Sequence, residues 1–134
     1  MRQSDSRDYD DWMERAYEDV LCARLLAQKE DCLNGAAFHA QQAVEKSLKA
    51  YILFKSRSLV DGHNLVWLCK KAAGWDAGLR DWLGSCITLN RFYIEARYPA
   101  DISIELEPAQ AQGFADLAEK LFDYVGQAID PAGN

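Results

Sequence analysis

The strongest constraint on the fold is a long run of helical periodicity over residues 35–57. Apolar side chains recur there every three or four residues, which places them on one side of a helix. No segment of comparable length alternates with the period of two that a half-buried strand requires. The chain is therefore predicted to be all-α. The apolar side of this helix consists of Ala37, Ala40, Val44, Leu48, Tyr51 and Ile52.

Helix-end signals divide the chain into four long helices and one short helix. The first is predicted to start near Ser6 or Asp8 and to run toward Glu30, with Asn34-Gly35 as the break after it. The others are expected at 35–57, 63 or 64 to 73, 76–98 and 108–129, with an irregular connector at 101–107. Such helices form an up-down bundle. We expect a single domain over 1–134 with short polar tails at about 1–7 and 130–134.

A second face of the helix at 35–57 is polar. Its members are His39, Gln42, Lys46 and Lys49. Lysines supply point charges and an amide both donates and accepts hydrogen bonds, so this stripe suits phosphate and base-edge contacts. The alternative is structural: Glu45 and Lys49 form an ordinary i,i+4 ion pair, and His39 packs or bonds within the bundle.

The helix at 76–98 carries polar groups on its apolar side. Leu79, Leu83, Cys86, Ile87 and Ile94 define that side. By the same spacing Asn90 and Arg97 fall on it, Tyr93 lies beside it, and Arg91 points elsewhere, toward the surface or an interface. Inward polar groups need partners, so Asn90 and Arg97 either tie the helix to the connector after Pro99 or line a pocket or a dimer cleft.

A homodimer is also expected from the same helix. Apolar or aromatic residues surround most of its circumference, which leaves some of them to a partner surface. The residues concerned are Trp82, Leu89, Phe92 and Tyr98.

Composition narrows the remaining functions. The net charge is −6, but residues 41–100 hold a basic excess. A local basic strip can therefore hold a nucleotide or a short RNA even though the chain as a whole is acidic.

Four scattered cysteines without a CxxC pair, and only two histidines, predict free thiols and no metal. No cofactor motif is present. The polar N-terminus and the lack of a long apolar run predict a cytoplasmic protein without a membrane span.

Three motifs carry a resemblance to a known family. They are FHAQQAxEKxLKA at 38–50, His63-Asn64-Leu65 with Leu68, and LNxFYxxARYP at 89–99. Together they resemble the HEPN domain family (higher eukaryotes and prokaryotes nucleotide-binding domain), in its small stand-alone bacterial or archaeal type. The resemblance implies a homodimer, a nucleotide or RNA ligand, and a minimal nucleotidyltransferase partner in a toxin–antitoxin module. Candidate binding residues are His39, Gln42, Lys46, Lys49, Asn90, Arg91, Tyr93 and Arg97.

The resemblance also raises the question of catalysis. Many HEPN proteins are metal-independent ribonucleases with an Arg-x4-6-His motif, but no histidine follows Arg91 or Arg97 here. Arg57 and His63 have the spacing of this motif, but they lie outside its usual position in the family. We interpret their spacing as coincidence and expect His63 to orient or cap the third helix. A non-catalytic accessory protein is therefore favoured. The alternatives are a ribonuclease toxin that pairs Arg91 or Arg97 with His39 or His63, and a purely structural oligomerisation domain.

Overall fold

The computed structural model describes residues 5–97 and 105–132, with side chains in the first range as far as Phe92. These residues contain five α-helices and no strand, which confirms the predicted all-α class. The helices are α1 (Tyr9–Ala27), α2 (Leu33–Ser56), α3 (Leu65–Ala73), α4 (Leu83–Arg97) and α5 (Pro108–Ile129). Two 3₁₀ segments, Glu30–Cys32 and Ala77–Trp82, precede α2 and α4.

Helix α2 is the centre of the bundle. It packs against α1, α3, α4 and α5. The predicted apolar side is buried throughout, and from Ala43 to Leu53 every residue except the half-buried Lys46 is buried. A helix enclosed in this way has no open polar face, so its polar side chains need partners inside the protein.

The helix ends follow local capping chemistry. The Asp8 side chain accepts the Asp10 N–H at the start of α1. The Asn64 side chain accepts two N–H groups of the first turn of α3. Helix α5 starts at Pro108 with a reciprocal capping box before it. These caps explain why the predicted starts of the first, third and last helices lie close to the observed ones.

The predicted break at Asn34-Gly35 is wrong. Helix α1 ends at Ala27 and not near Glu30, because the N–H groups of Gln28 and Lys29 close the last turn on Leu25 and Leu26. Asn34 and Gly35 lie in the first turn of α2. A Cβ at Gly35 would meet the Leu26 side chain at 3.1 Å, so this glycine allows a close approach between α1 and α2.

The helix predicted at 76–98 is also divided differently. Its first part is the 3₁₀ segment Ala77–Trp82, which starts where the Asp76 side chain accepts the Gly78 N–H. A 3₁₀ helix turns further per residue than an α-helix, so a face counted from this segment is out of phase in α4. Ile87, placed on the apolar side, is therefore 54% exposed, and Leu89 is buried instead.

The cysteines are free thiols, as expected. Cys69 of α3 and Cys86 of α4 are buried, whereas Cys22 and Cys32 are half-buried. A hydrogen bond between Cys69 and Cys86 lowers the pKa of Cys69, and the same bond together with burial raises the pKa of Cys86. Within 5–97 and 105–132 no cluster of metal-ligating side chains occurs, and no helix is long and apolar enough to cross a membrane.

Candidate functional site

Asp19 connects α1 to the polar stripe of α2. Its side chain is 9% exposed. Its Oδ1 lies 2.8 Å from His39 Nδ1, and its Oδ2 lies 2.6 Å from Lys46 Nζ. One buried carboxylate therefore binds both His39 and Lys46 of the polar stripe and neutralises the lysine ammonium.

Glu45 is the second buried carboxylate, within α2 itself. Its Oε2 lies 3.2 Å from Lys49 Nζ and 2.9 Å from His63 Nδ1. The Lys49 side chain is 5% exposed, and its ammonium lies 5.5 Å from the centre of the Trp12 ring. Glu45 Oε1 also faces the buried Gln41 amide at 3.4 Å. Trp12 and Glu45 together account for the burial of a lysine in the core.

The sequence-predicted stripe is thus brought together, and its groups already have partners. His39 and Lys46 share Asp19, Lys49 pairs with Glu45, and Gln42 Nε2 donates to Gln41 Oε1 at 2.7 Å. The i,i+4 pair considered from the sequence is present. A phosphate at Lys46 or Lys49 would have to compete with a carboxylate that is already in place.

His63 does not cap α3. The cap is Asn64, because its side-chain oxygen accepts the N–H groups of Val66 and Trp67. The Nδ1 of His63 is instead hydrogen-bonded to the Glu45 carboxylate of α2. It connects the segment before α3 to α2 and so orients it from outside the helix.

Asn90 has a structural partner that the sequence did not indicate. Its Oδ1 accepts the Leu65 N–H at 3.2 Å. Together with Asn64, it satisfies three N–H groups at the start of α3. Asn90 therefore ties α4 to α3. Arg91 is exposed on α4, and the side chains of Tyr93 and Arg97 lie outside the described residues.

Three of the residues expected to form a dimer surface have packing partners within the protein. Leu89 is buried. The Trp82 ring lies 6.2 Å from that of Tyr124, and the Phe92 ring lies 5.2 Å from that of Phe114. Tyr98 lies outside the described residues.

The cleft beside the stripe does not suit a nucleotide. It measures about 740 Å³, and among the described residues that line it the cations are Lys46 and Arg15. Four carboxylates face them, from Asp5, Asp11, Glu14 and Glu18. This excess of negative charge opposes the binding of a phosphate.

Comparison with known proteins identifies the family. The model of the HEPN domain matches residues 9–128. The chain belongs to the HEPN domain family. This result confirms the resemblance carried by the three sequence motifs. No curated protein matches the sequence significantly.

Two solved structures agree with the bundle. TT1696 from Thermus thermophilus is 26% identical, with a TM-score of 0.72 over 89% of this chain and 96% of that one. ST0689, described as an archaeal HEPN homologue, is 24% identical, with a TM-score of 0.70 over 92% and 98% of the two chains. This HEPN protein therefore has the all-α fold of its family.

Replacing the buried pair tests its structural role. Glu45→Gln should lower the free energy of unfolding by about 3 kcal/mol or more, because Lys49 stays buried without a counter-charge. The double variant Glu45→Leu with Lys49→Met should recover most of this loss, since it buries no charge. Urea unfolding followed by circular dichroism measures both.

The exposed pair Arg15–Glu18 is the control. Its atoms lie 3.7 Å apart with both side chains largely exposed, so Glu18→Gln should change the free energy of unfolding by less than about 0.5 kcal/mol. Equal effects of Glu45→Gln and Glu18→Gln would show that the buried pair has no special structural role.

Asn90→Ala tests the link between α4 and α3. It should destabilise the protein by about 1–3 kcal/mol, because the buried Leu65 N–H loses its acceptor. Asn90→Asp keeps an oxygen at that place and should retain most of the stability. Thermal unfolding compares the two, and an equal loss for both would contradict the assigned hydrogen bond.

Proposed function

We propose that this HEPN protein is a non-catalytic binding module that forms a homodimer and acts with a separately encoded minimal nucleotidyltransferase, as in a toxin–antitoxin module. The observation that supports binding to another protein is an exposed apolar stripe on α1. Tyr17, Leu21 and Leu25 are 51%, 45% and 66% exposed. Their spacing of four residues places them on one side of the helix.

The stripe is larger than three isolated side chains. The Tyr17 ring lies 5.7 Å from that of the half-buried Phe122 on α5, so the apolar surface continues from α1 onto α5. Contiguous apolar surface exposed on a small protein indicates an interaction site. We propose a second copy of the chain as its occupant.

A two-fold contact needs a self-complementary surface. In an antiparallel α1–α1 contact, Leu21 would lie at the centre and Tyr17 would face Leu25 of the second copy. The end of α1 that would face the acidic first half of the second copy carries Arg24, which is already paired with Asp116 and Glu119 of α5. The complementarity of this contact is therefore apolar.

The identity of the second partner has a different basis. The nucleotidyltransferase comes from the resemblance to the family, and no residue of this chain specifies it. The non-catalytic role is supported by the sequence, since no histidine follows Arg91 or Arg97 in α4 or beyond. Both histidines are instead bound through Nδ1 to buried carboxylates of α1 and α2.

Leu21→Asp tests the dimer. Two charged groups at the centre of the contact should convert the dimer, with twice the 15.1 kDa mass of the chain, into a monomer. Light scattering after size exclusion measures the mass. Ile87→Asp is the matched control, because Ile87 is similarly exposed but lies on α4.

The outcomes separate the two surfaces. A monomeric wild-type protein would contradict the homodimer. A dimer that Ile87→Asp dissociates and Leu21→Asp leaves intact would place the contact on α4.

Co-expression with a neighbouring nucleotidyltransferase gene, followed by co-purification, tests the second partner. A ligand-free homodimer that binds no such protein would favour a purely structural oligomerisation domain.

One observation favours the ribonuclease alternative. Asp19 holds His39 Nδ1, which leaves Nε2 as the ring nitrogen for a substrate, and the imidazole is 30% exposed. A histidine oriented by a carboxylate in this way is typical of a general base. The other oxygen of the same Asp19 carboxylate accepts from Lys46, as in a purely structural ion network.

RNA cleavage decides between the two functions. We expect the purified protein to leave a labelled single-stranded RNA intact in the presence of a metal chelator. Cleavage that His39→Gln abolishes and His63→Gln preserves would contradict the non-catalytic assignment and favour the ribonuclease. Gel electrophoresis of the RNA gives the readout.

A further inference from the structure

The four tryptophans fall into two classes. The Trp12 Nε1 donates to the Ser6 carbonyl at 2.8 Å, and Trp82 packs on Tyr124, so both have a structural role. Trp67 on α3 and Trp75 just after it are 47% and 43% exposed. In the described part of the chain neither of their indole N–H groups has a hydrogen-bond acceptor. Two such residues, one on α3 and one just beyond its end, need a functional explanation.

A lysine joins the two exposed rings. Lys71 Nζ lies 5.6 Å from the centre of the Trp67 ring and 5.8 Å from that of Trp75, within the range of cation–π attraction. Trp67 and Lys71 are four residues apart on one side of α3, and Trp75 follows the end of that helix with its ring on the same lysine. Lys70 is also exposed beside them. These four residues form one surface, which we call the α3 platform.

The charge of α3 differs from that of the other helices. Helices α1, α2, α4 and α5 all contain acidic residues, whereas α3 contains two lysines and no acid. The nearest acid after it, Asp76, is occupied by the Tyr124 hydroxyl and the Gly78 N–H. In a chain of net charge −6, a helix without acids indicates an anionic ligand.

We propose that the α3 platform binds single-stranded RNA. Bases would stack on Trp67 and Trp75, and the ammonium groups of Lys70 and Lys71 would contact phosphates. Lys71 Nζ lies 5.6 Å and 5.8 Å from the two ring centres, so the indoles are neighbours that can stack on different bases of one strand. Stacking on aromatic side chains combined with cations is how proteins bind single strands without base-specific hydrogen bonds.

The platform differs from the surface proposed for the dimer. The α1 stripe is apolar and has no cation between its members, which suits another protein. The α3 platform alternates aromatic rings with a cation. An RNA strand is therefore the occupant that its chemistry fits best.

This inference deepens the proposed function and rests on it only in taking the protein to be a binding module. The dimer and the nucleotidyltransferase are not required for RNA to bind to α3. Mass measurement reports on α1, and RNA affinity reports on α3, so either proposal can fail without the other.

Fluorescence anisotropy of a labelled single-stranded RNA 12-mer, titrated with the full chain at low salt, tests the proposal. The double variant Trp67→Ala with Trp75→Ala should weaken binding by at least about tenfold, and the double variant with Phe at both positions should keep most of the affinity. Lys70→Gln with Lys71→Gln should reduce the slope of log K against log salt by about 0.7 for each lysine.

The controls are Ile87→Ala and Lys120→Gln, an exposed apolar residue and an exposed lysine on other helices. Circular dichroism confirms that each variant is folded. The absence of RNA binding by the wild-type protein would overturn the proposal. Binding that the alanine variant retains, or that both controls reduce equally, would also overturn it. A variant of the α3 platform that loses a co-purified protein partner but keeps its RNA affinity would overturn it as well.

Discussion

The pairing of two buried carboxylates with the cations of α2 determines what the rest of the structure can do. Helix α2 is enclosed by the other four helices, so a charged side chain on it must find its counter-charge inside the protein. Asp19 supplies this for Lys46, and Glu45 supplies it for Lys49. The same two acids hold both histidines. The polar stripe therefore joins α1, α2 and the segment before α3 into one unit.

The surfaces that we propose for binding lie on the outer helices. The apolar side of α1 and the aromatic, cationic side of α3 are exposed, and each has a composition that indicates a different kind of partner. The proposed division does not require an Arg-x4-6-His motif, which α4 lacks. In this proposal the ion pairs of α2 stabilise the bundle, and the exposed sides of α1 and α3 bind other molecules.

Much of the fold was predictable from local signals. The apolar side of α2, the Pro108 start of α5 and the turn before α3 follow from periodicity and capping. The site was less predictable, because its decisive partner is distant in sequence: Asp19 lies twenty residues before His39. The phase of α4 was also hidden, since nothing in the sequence of Ala77–Trp82 shows that it is a 3₁₀ segment. The exposed stripe of α1 has the same spacing as a core stripe, and packing alone distinguishes them.

The most direct test of this account measures stability and RNA affinity together for Lys46→Gln and Lys49→Gln. We predict that both variants lower the free energy of unfolding, by about 1–3 kcal/mol, because each leaves a buried carboxylate with one partner fewer. Their RNA affinity and its salt dependence should match those of the wild-type protein. Variants that unfold like the wild type but no longer bind RNA would show that the α2 lysines form a ligand site, which contradicts the structural role assigned to them here.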